Sequence, residues 1–423
     1  MTEDRLLANA IRRFLADDSK ERFLRYVQVH TTSNDSSKTK PSTAVQWDLL
    51  RLLADECRAL GLHDVHLGET GFVYATLPAT PGIACAPFGL LAHVDTSPEQ
   101  PGDGVRPVCH ENWDGAPIRF PDDPDLVLTP TDSEELSDFR GDTIITASGR
   151  TLLGADDKAG VAEIMAALAT LQRFPELLHG EIRACFTTDE EIGRGTQGIE
   201  LARLPRYCYT LDGSYPGELE TECFNAWRAE IRFQGVGVHP GLAKDKLVNA
   251  IASAARYVAE LPEAETPERT AGRDGFYYVF AVQGDCENAL VQLIVRDFER
   301  EENLRRNAFL HELARRYEER YPRLSVVVEC REQYRNMRDI LASHPRVTEL
   351  AHRAIEDAGL VVRRKAIRGG TDGSLLSQLG HPTPNIFAGG LLFHSRKEWI
   401  AASSLAKAAE TIVHLARRWT EAD

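Results

Sequence analysis

The chain has 423 residues, of which 43% are hydrophobic and 27% charged, and its 64 acidic residues outnumber its 49 basic ones to give a formal net charge of −15. This composition is typical of a globular protein with two or three domains and excludes disordered, collagen-like and coiled-coil chains. We expect neither nucleic acid nor an anionic membrane as a partner, because binding to either needs a basic surface.

The N-terminal segment carries no recognisable targeting signal. Glu3 and Asp4 lie where a secretory signal is basic, and no apolar run approaches the length of a membrane span. The eight cysteines include no C-x-x-C pair, so neither a thiolate zinc site nor a disulfide framework is expected. These features predict a cytoplasmic protein.

The first predicted elements are two helices separated by a polar segment. An amphipathic pattern covers residues 6–29, and the turn-forming run TTSNDSSKTKPST follows it. Thr43 and Gln46 have the spacing of a capping box, and apolar residues then recur at helical spacing as far as Gly61. The second helix is therefore predicted to begin near Thr43.

The next segments alternate between strands and helices. APFGLLAHVD is predicted to be a strand buried on both faces, and the helix pattern that begins in GADDKAG follows it. EIRACFTTDEE and YCYTLDG are predicted to be strands that end in acids, whereas residues 97–140 are weakly periodic and predict a long loop or insertion. This alternation predicts an α/β fold with a mostly parallel sheet.

A different pattern begins after Glu222. AWRAEIRF alternates apolar and polar residues, which indicates a sheet with one face in water. A helix (249–261), the strands FYYVFAVQG and ALVQLIVRDF, a charged helix (299–320) and the strand LSVVVECREQY complete a β-α-β-β-α-β order, which is the ferredoxin-like unit. We therefore predict an inserted α+β domain, at 223–335, between the two parts of the α/β domain, at 1–222 and 336–423.

Five side chains at predicted strand or turn ends could bind metal. Since the carboxyl ends of parallel strands meet at one crevice, these side chains are expected to converge. Histidine and carboxylate ligands without cysteine suit zinc, with cobalt or manganese as alternatives. Two divalent cations, three carboxylates and one hydroxide sum to zero charge, and one carboxylate must then bridge the two ions. The candidate ligands are His93, Asp156, Glu191, Asp212 and His394.

Two further acids are candidates for supporting roles. Asp95 lies two residues after His93 on the same face of the strand, where it can accept the second imidazole N–H and fix the tautomer. Glu190 precedes Glu191 and points in a different direction, so it can act as a general base towards a water. The alternatives are a strand-end turn residue for Asp95 and a solvated acidic turn for Glu190.

Several other enzyme classes lack their motifs in this chain. It contains neither the G-x-S-x-G elbow of serine hydrolases nor the phosphate-binding G-x-x-x-x-G-K-[ST] loop. One G-x-G-x-x-G pattern occurs at Gly193, Gly195 and Gly198, but too few residues follow it to form a crossover helix. We interpret this pattern as a glycine-rich turn.

Several motifs, taken together and in this order, resemble the tripeptide aminopeptidase branch of the co-catalytic di-zinc aminopeptidase/carboxypeptidase family. The similarity runs over nearly the whole chain, and the family also includes dipeptidases and deacylases. It implies a catalytic domain with an inserted lid, two zinc ions and a short peptide as substrate. The motifs that carry the resemblance are HVDTSP, LLGADDKAG, TTDEEIGRG, TLDG, VHPG, RDF and IRGGTDG.

The resemblance also implies roles for individual residues. One zinc would be bound by His93, Asp156 and Asp212, and the other by Asp156, Glu191 and His394, with Asp156 as the bridge. Glu190 matches the general base and Asp95 the acid that orients a histidine. Substrate contacts are implied for His239 of VHPG, Arg296 of RDF and Arg368 of IRGGTDG.

The sequence leaves alternatives open at this point. A related dipeptidase, carboxypeptidase or N-acyl amino acid deacylase would share the same metal ligands, and a non-catalytic peptide-binding protein is a remote alternative. Leu392 occupies a position, two residues before the last ligand histidine, where the family leads us to expect asparagine, so the shape of the substrate pocket is in question. The sequence does not decide whether the chain forms a homodimer.

Overall fold

The computed structural model describes residues 7–421 and divides the chain into two compact units. The first unit contains the residues up to Thr221, Asp339–Lys365 and the residues from Thr371 onward, and the second contains Glu222–Arg338 and Ala366–Gly370. The sequence predicts the insertion at 223–335 and places all later residues in the α/β domain. The structure differs in the short segment Ala366–Gly370, which belongs to the second unit.

An eight-stranded sheet forms the centre of the first unit, with strand order β1-β2-β8-β3-β9-β16-β10-β15. Its four middle strands, from β8 to β16, are parallel, whereas β1, β2 and β10 pair in the antiparallel sense. The predicted mostly parallel α/β sheet is confirmed for this centre. The strands are β1 (His63–Leu67), β2 (Val73–Leu77), β3 (Phe88–His93), β8 (Ile182–Thr187), β9 (Tyr207–Gly213), β10 (Glu218–Cys223), β15 (Arg363–Ile367) and β16 (Asn385–Phe387).

Helices pack on this sheet and on one another. Every residue of β3 is buried, as expected for a central parallel strand, and α3 packs against β3 and β9. The N-terminal helix α1 and the C-terminal helix α9 both pack on α3. The predicted start of the first helix at Leu6 lies outside the described residues. The helices of this unit are α1 (Asn9–Tyr26), α2 (Gln46–Ala59), α3 (Ala155–Arg173), α7 (Pro345–Asp357), α8 (Asp372–Gln378) and α9 (Ala402–Thr420).

The segment predicted as a loop, 97–140, contains short strands, so that prediction is wrong in part. Its strands are only three to six residues long, too short to show a clear alternation of apolar and polar residues. They surround a small core that includes Trp113, Phe120 and Trp399. The strands of this region are β4 (Val108–His110), β5 (Ile118–Phe120), β6 (Asp123–Leu128), β7 (Ile144–Thr146), β17 (Gly390–Leu391) and β18 (Trp399–Ala401).

The second unit is an antiparallel four-stranded sheet with two long helices. Its strand order is β12-β13-β11-β14, and α4 and α5 pack against it around a core that includes Tyr257 and Tyr317. The predicted ferredoxin-like order is confirmed. The elements are β11 (Asn225–Gln234), α4 (Ala250–Ala259), β12 (Phe276–Gly284), β13 (Asn288–Asp297), α5 (Arg300–Arg320) and β14 (Ser325–Tyr334). The short helix α6 (Arg338–Ala342) follows, and all of it except Arg338 belongs to the first unit.

Among residues 7–421, none of the helices combines the length and the apolar character that crossing a bilayer would require.

A buried ion pair joins α7 to α9 in the first unit. The guanidinium of Arg418 donates to both carboxylate oxygens of Asp357, at 2.6 and 2.9 Å, and both residues are less than a tenth exposed. Replacing Asp357 by alanine would leave the buried positive charge without this partner. We expect a loss of about 3–5 kcal/mol in the free energy of unfolding, measured by urea denaturation of the metal-free protein.

Glu421 provides the matched control for this prediction. It also accepts a hydrogen bond from Arg418, at 2.9 Å, but its side chain is 41% exposed. Exposed ion pairs contribute less than about 1 kcal/mol, so Glu421→Ala should change the urea midpoint little. Equal effects of the two substitutions would contradict the assignment of the stabilisation to the buried pair.

Candidate metal centre

His93 ends the central strand β3 and points one ring nitrogen at two carboxylates. Its Nε2 lies 2.9 Å from Asp156 Oδ1 and 3.7 Å from Asp212 Oδ1. Its Nδ1 faces Asp95, at 3.0 Å from the backbone oxygen and 3.4 Å from the carboxylate. A metal-bound histidine usually donates its other N–H to such an oxygen. The geometry therefore presents Nε2 as a ligand atom.

Asp156 lies in the first turn of α3, between the two imidazoles. Its Oδ1 faces His93, whereas its Oδ2 lies 3.3 Å from His394 Nε2. Glu191 joins the same side, with its Oε2 2.8 Å from His394 Nε2. The two oxygens of one carboxylate therefore point towards two different sets of ligand atoms.

The five predicted ligands form two groups that share Asp156. His93, Asp156 and Asp212 make one group, and Asp156, Glu191 and His394 the other. Within each group the ligand atoms lie within 4.8 Å of one another. Imidazole nitrogen and carboxylate oxygen are the donors that zinc and related divalent ions prefer. The residues present therefore fit a pair of cations with Asp156 common to both.

The protonation of these groups, without a cation, shows how much negative charge is gathered here. Burial, together with the charge of Asp156, raises the pKa of Glu191 to about 8 and that of Asp212 to about 7. Burial alone would lower the pKa of His394, but its contacts with Asp156 and Glu191 raise it to about 11. These shifts have the directions expected where several buried carboxylates lie close together beside a histidine.

One oxygen of Glu191 supports the same interpretation. Its Oε1 is buried and has no hydrogen-bond partner among the described residues. A buried carboxylate oxygen without a partner is costly, because it has lost its hydration without a replacement. A cation bound at this carboxylate would balance its negative charge and offset that cost.

Asp95 connects the first histidine to the turn that carries the two glutamates. Its carboxylate, which is fully buried, accepts the backbone N–H of Glu190 at 3.0 Å and that of Glu191 at 3.2 Å. The predicted contact with His93 exists at 3.4 Å, but the stronger hydrogen bonds go to the turn. Asp95 therefore fixes the position of the turn relative to His93.

Glu190, the other predicted supporting acid, is a member of neither ligand group. Its carboxylate makes neither a hydrogen bond nor an ion pair with any residue in 7–421 and is absent from both ligand groups. Burial raises the pKa of Glu190 well above its ordinary value, and the charges of Asp212, Asp372 and Glu191 raise it further, against the effect of His93. This side chain is available to exchange a proton with a bound molecule.

Asp189 is a buried anchor of the same turn that the sequence analysis missed. Its carboxylate accepts hydrogen bonds from the backbone and hydroxyl of Ser42 and from Gln46 Nε2. The predicted capping box of Thr43 and Gln46 is wrong, because α2 begins at Gln46 and the two side chains bond each other and their surroundings instead. Asp157 was missed as well; it is fully buried and accepts the N–H of His93 at 3.1 Å.

The three predicted substrate contacts lie in the second unit. His239 is exposed and caps a short turn by accepting the N–H of Gly241 at 3.2 Å. Arg368 donates to the carbonyl oxygens of Gly272 and Asp274 at 2.8 and 2.9 Å, and Arg296 Nη1 lies 3.5 Å from the carbonyl oxygen of Arg368. The two arginines form one local cluster in which Arg368 is already engaged, and their role towards a substrate stays a prediction.

Leu392 adopts an unusual backbone conformation for a branched apolar residue, with φ of +55°. Its side chain packs on the small core around Trp113 and Trp399. It also borders a cavity of about 340 Å³, which is lined by Gln100, Leu126, Asp132, Leu392, Ser395, Arg396 and Lys397. The unexpected leucine therefore gives this cavity an apolar wall.

Comparisons with known proteins find similarity to peptidases in sequence and in fold. A model of peptidase family M20/M25/M40 matches residues 146–418. Peptidase T of Geobacillus sp. is 44% identical over 93% of this chain and 97% of its own length. The crystal structure of aminopeptidase PepT from Bacillus cereus superposes with a TM-score of 0.73 at 24% identity, over 96% of this chain and 98% of that one. A dinuclear metal-binding peptidase of the M20 family from Bacillus subtilis has a TM-score of 0.64 at 14% identity, over 97% and 98% of the two chains.

Proposed function

The chain belongs to peptidase family M20/M25/M40, and from this membership we propose that it is a di-zinc aminopeptidase that removes the N-terminal residue from short peptides, most of all tripeptides. One observation carries the proposal: two groups of histidine and carboxylate ligands share Asp156 in a chain that is 44% identical to a peptidase T. His93, Asp156 and Asp212 would hold one ion, and Asp156, Glu191 and His394 the other.

The proposed reaction is hydrolysis of a peptide bond by an activated water. Two bound cations would polarise the scissile carbonyl and make a water more acidic. Glu190, whose carboxylate has no other partner among the described residues, takes a proton from that water and returns it to the departing amine. Asp95 holds the backbone of Glu190 in place for both transfers.

Zinc is the proposed metal because the ligands combine imidazole nitrogen with carboxylate oxygen in groups of three. Cobalt and manganese accept the same donors and are the alternatives. Metal analysis of the purified protein, followed by removal with a chelator and readdition of each ion, would decide among them.

The substrate contacts and the cellular setting belong to the proposal as well. We assign His239, Arg296 and Arg368 to substrate binding, by analogy with the family motifs that contain them. A cytoplasmic location is supported by the eight cysteines, all within the described residues, which form no disulfide. The proposed substrate is a short peptide. A homodimer is part of the proposal as well.

A comparison of two substrates tests the aminopeptidase proposal. A tripeptide with a free amine should be hydrolysed, whereas its N-acetylated form should not, since an aminopeptidase recognises the free N-terminus. Release of the first amino acid is followed by chromatography, with dipeptides and tetrapeptides of the same composition for comparison. Cleavage of the acetylated peptide alone would favour a deacylase of the same family, and release of the C-terminal residue would favour a carboxypeptidase.

A further inference from the structure

Glu398 is a buried carboxylate that lies outside both ligand groups and contacts the turn leading into Asp156. The residue is 1% exposed. The backbone N–H groups of Leu153 and Gly154 both donate to its Oε2 at 2.8 Å, and that of Asp156 donates to its Oε1 at 3.1 Å. Both carboxylate oxygens of Glu398 therefore accept hydrogen bonds from one short backbone segment, residues 153–156.

The backbone at the start of α3 needs such an acceptor. The first N–H groups of a helix have no partner within the helix, and the residue that precedes α3 is Gly154, which has no side chain to cap it. Asp156 itself has non-helical angles, φ −82° and ψ 106°. The helix therefore does not hold the backbone of Asp156, and Glu398 supplies the hydrogen bond from a distant part of the chain.

Glu398 is also tied to the segment of the last ligand. Its own N–H donates to the carbonyl oxygen of Ser395 at 3.2 Å, in the turn that follows His394, and β18 begins directly after it. Glu398 thus connects two turns: its backbone bonds the turn that follows His394, and its side chain bonds the turn that contains Asp156. His394 and Asp156 both belong to the second ligand group, and Asp156 belongs to the first as well.

We propose that Glu398 is a positioning residue of the metal centre, which holds the backbone of Asp156 so that its two carboxylate oxygens face the two cations. This inference rests on the proposed di-metal function. Residues that orient metal ligands typically change metal affinity about 10–100-fold when they are replaced. The same loss is expected here for both ions, because Asp156 is common to the two groups.

Glu398→Gln is the direct test. The amide oxygen can still accept the N–H groups of Leu153 and Gly154, but the amide NH₂ would then face the N–H of Asp156, and two donors cannot bond each other. Titration of the metal-free protein with Zn²⁺ against a competing chelator should show affinity reduced about 10–100-fold. The visible absorption of the Co²⁺-loaded protein, which reports coordination geometry, should change with it.

Two further variants separate position from charge and from folding. Glu398→Asp keeps the negative charge but shortens the side chain by one methylene, so it should also bind Zn²⁺ more weakly. Glu163→Gln is the matched control, since Glu163 is fully buried on the same helix as Asp156 and its carboxylate has no hydrogen-bond partner among the described residues. It should bind Zn²⁺ as the wild type does, and metal-free Glu398→Gln should still unfold in one cooperative thermal transition, as this control does.

The outcomes divide clearly. Weaker binding in both Glu398 variants, each of which still unfolds cooperatively without metal, supports the proposal. Wild-type affinity in Glu398→Gln would overturn the proposal. Weak binding in Glu398→Gln with full affinity in Glu398→Asp would also overturn it, because the negative charge alone would then explain the result. If Glu398→Gln does not fold, Glu398→Asp decides by the same affinity measurement. A wild-type protein that binds no Zn²⁺ would instead overturn the proposed function.

Discussion

Replacement of Asp156 by alanine should release both metal ions and reduce kcat/KM at least about 10³-fold. Asp156 is the member that the two ligand groups share, so its loss leaves each group with two ligands. The polarisation of the carbonyl and the activation of water by metals together supply several kcal/mol of transition-state stabilisation. Metal content by elemental analysis and turnover of a free-amine tripeptide measure the two effects on the same sample.

Two other substitutions provide the comparison for Asp156→Ala. His394→Ala removes a ligand from the second group only, so it should release one ion and retain the other. Asp55→Ala changes an exposed carboxylate of the same unit and should alter neither metal content nor turnover. Two ions retained in Asp156→Ala would refute the shared ligand, and unchanged content in His394→Ala would refute the assignment of that histidine.

Replacement of Glu190 by glutamine should preserve both ions and lower kcat about 10²–10⁴-fold. The loss is the one expected for a general base, since the amide cannot take up the proton. Because Glu190 belongs to neither ligand group, KM and metal content should change little. Steady-state kinetics and elemental analysis of the purified variant test both parts of this expectation.

Glu191→Gln is the natural control, because it alters the neighbouring acid, which is a proposed ligand and a member of the second group. That variant should lose affinity for one ion, whereas Glu190→Gln should not. If Glu190→Gln is purified with fewer ions than the wild type, then Glu190 is a ligand and the assignment of the base fails.

The sequence was sufficient to predict the central fold and the proximity of the five candidate side chains. Residues at the ends of parallel strands meet at one edge of the sheet, so the sequence predicts that His93 after β3, Glu191 after β8 and Asp212 in β9 converge. The resemblance to the family is confirmed by the identity to peptidase T. The sharing of Asp156 came from that resemblance, and its two distances to His93 and His394 come from the structure.

What the sequence did not predict depends on contacts between distant segments. Asp189 bonds Ser42 across 147 positions, and Glu398 bonds Asp156 across 242. An acid that accepts backbone N–H groups so far away carries no local signal, since its own neighbours have an ordinary turn composition. The wrong prediction of a capping box has the same origin, because the side chain of Gln46 donates a hydrogen bond to Asp189 instead of capping its own helix.

The order of the ligands along the chain has a consequence for biosynthesis. His93, Asp156 and Asp212 all precede the second unit, which begins at Glu222, whereas His394 follows it. A nascent chain therefore carries every ligand of the first group before the second unit has been translated, and it lacks a ligand of the second group until His394 leaves the ribosome. A chain whose synthesis stops before His394 can therefore complete only the first of the two candidate groups.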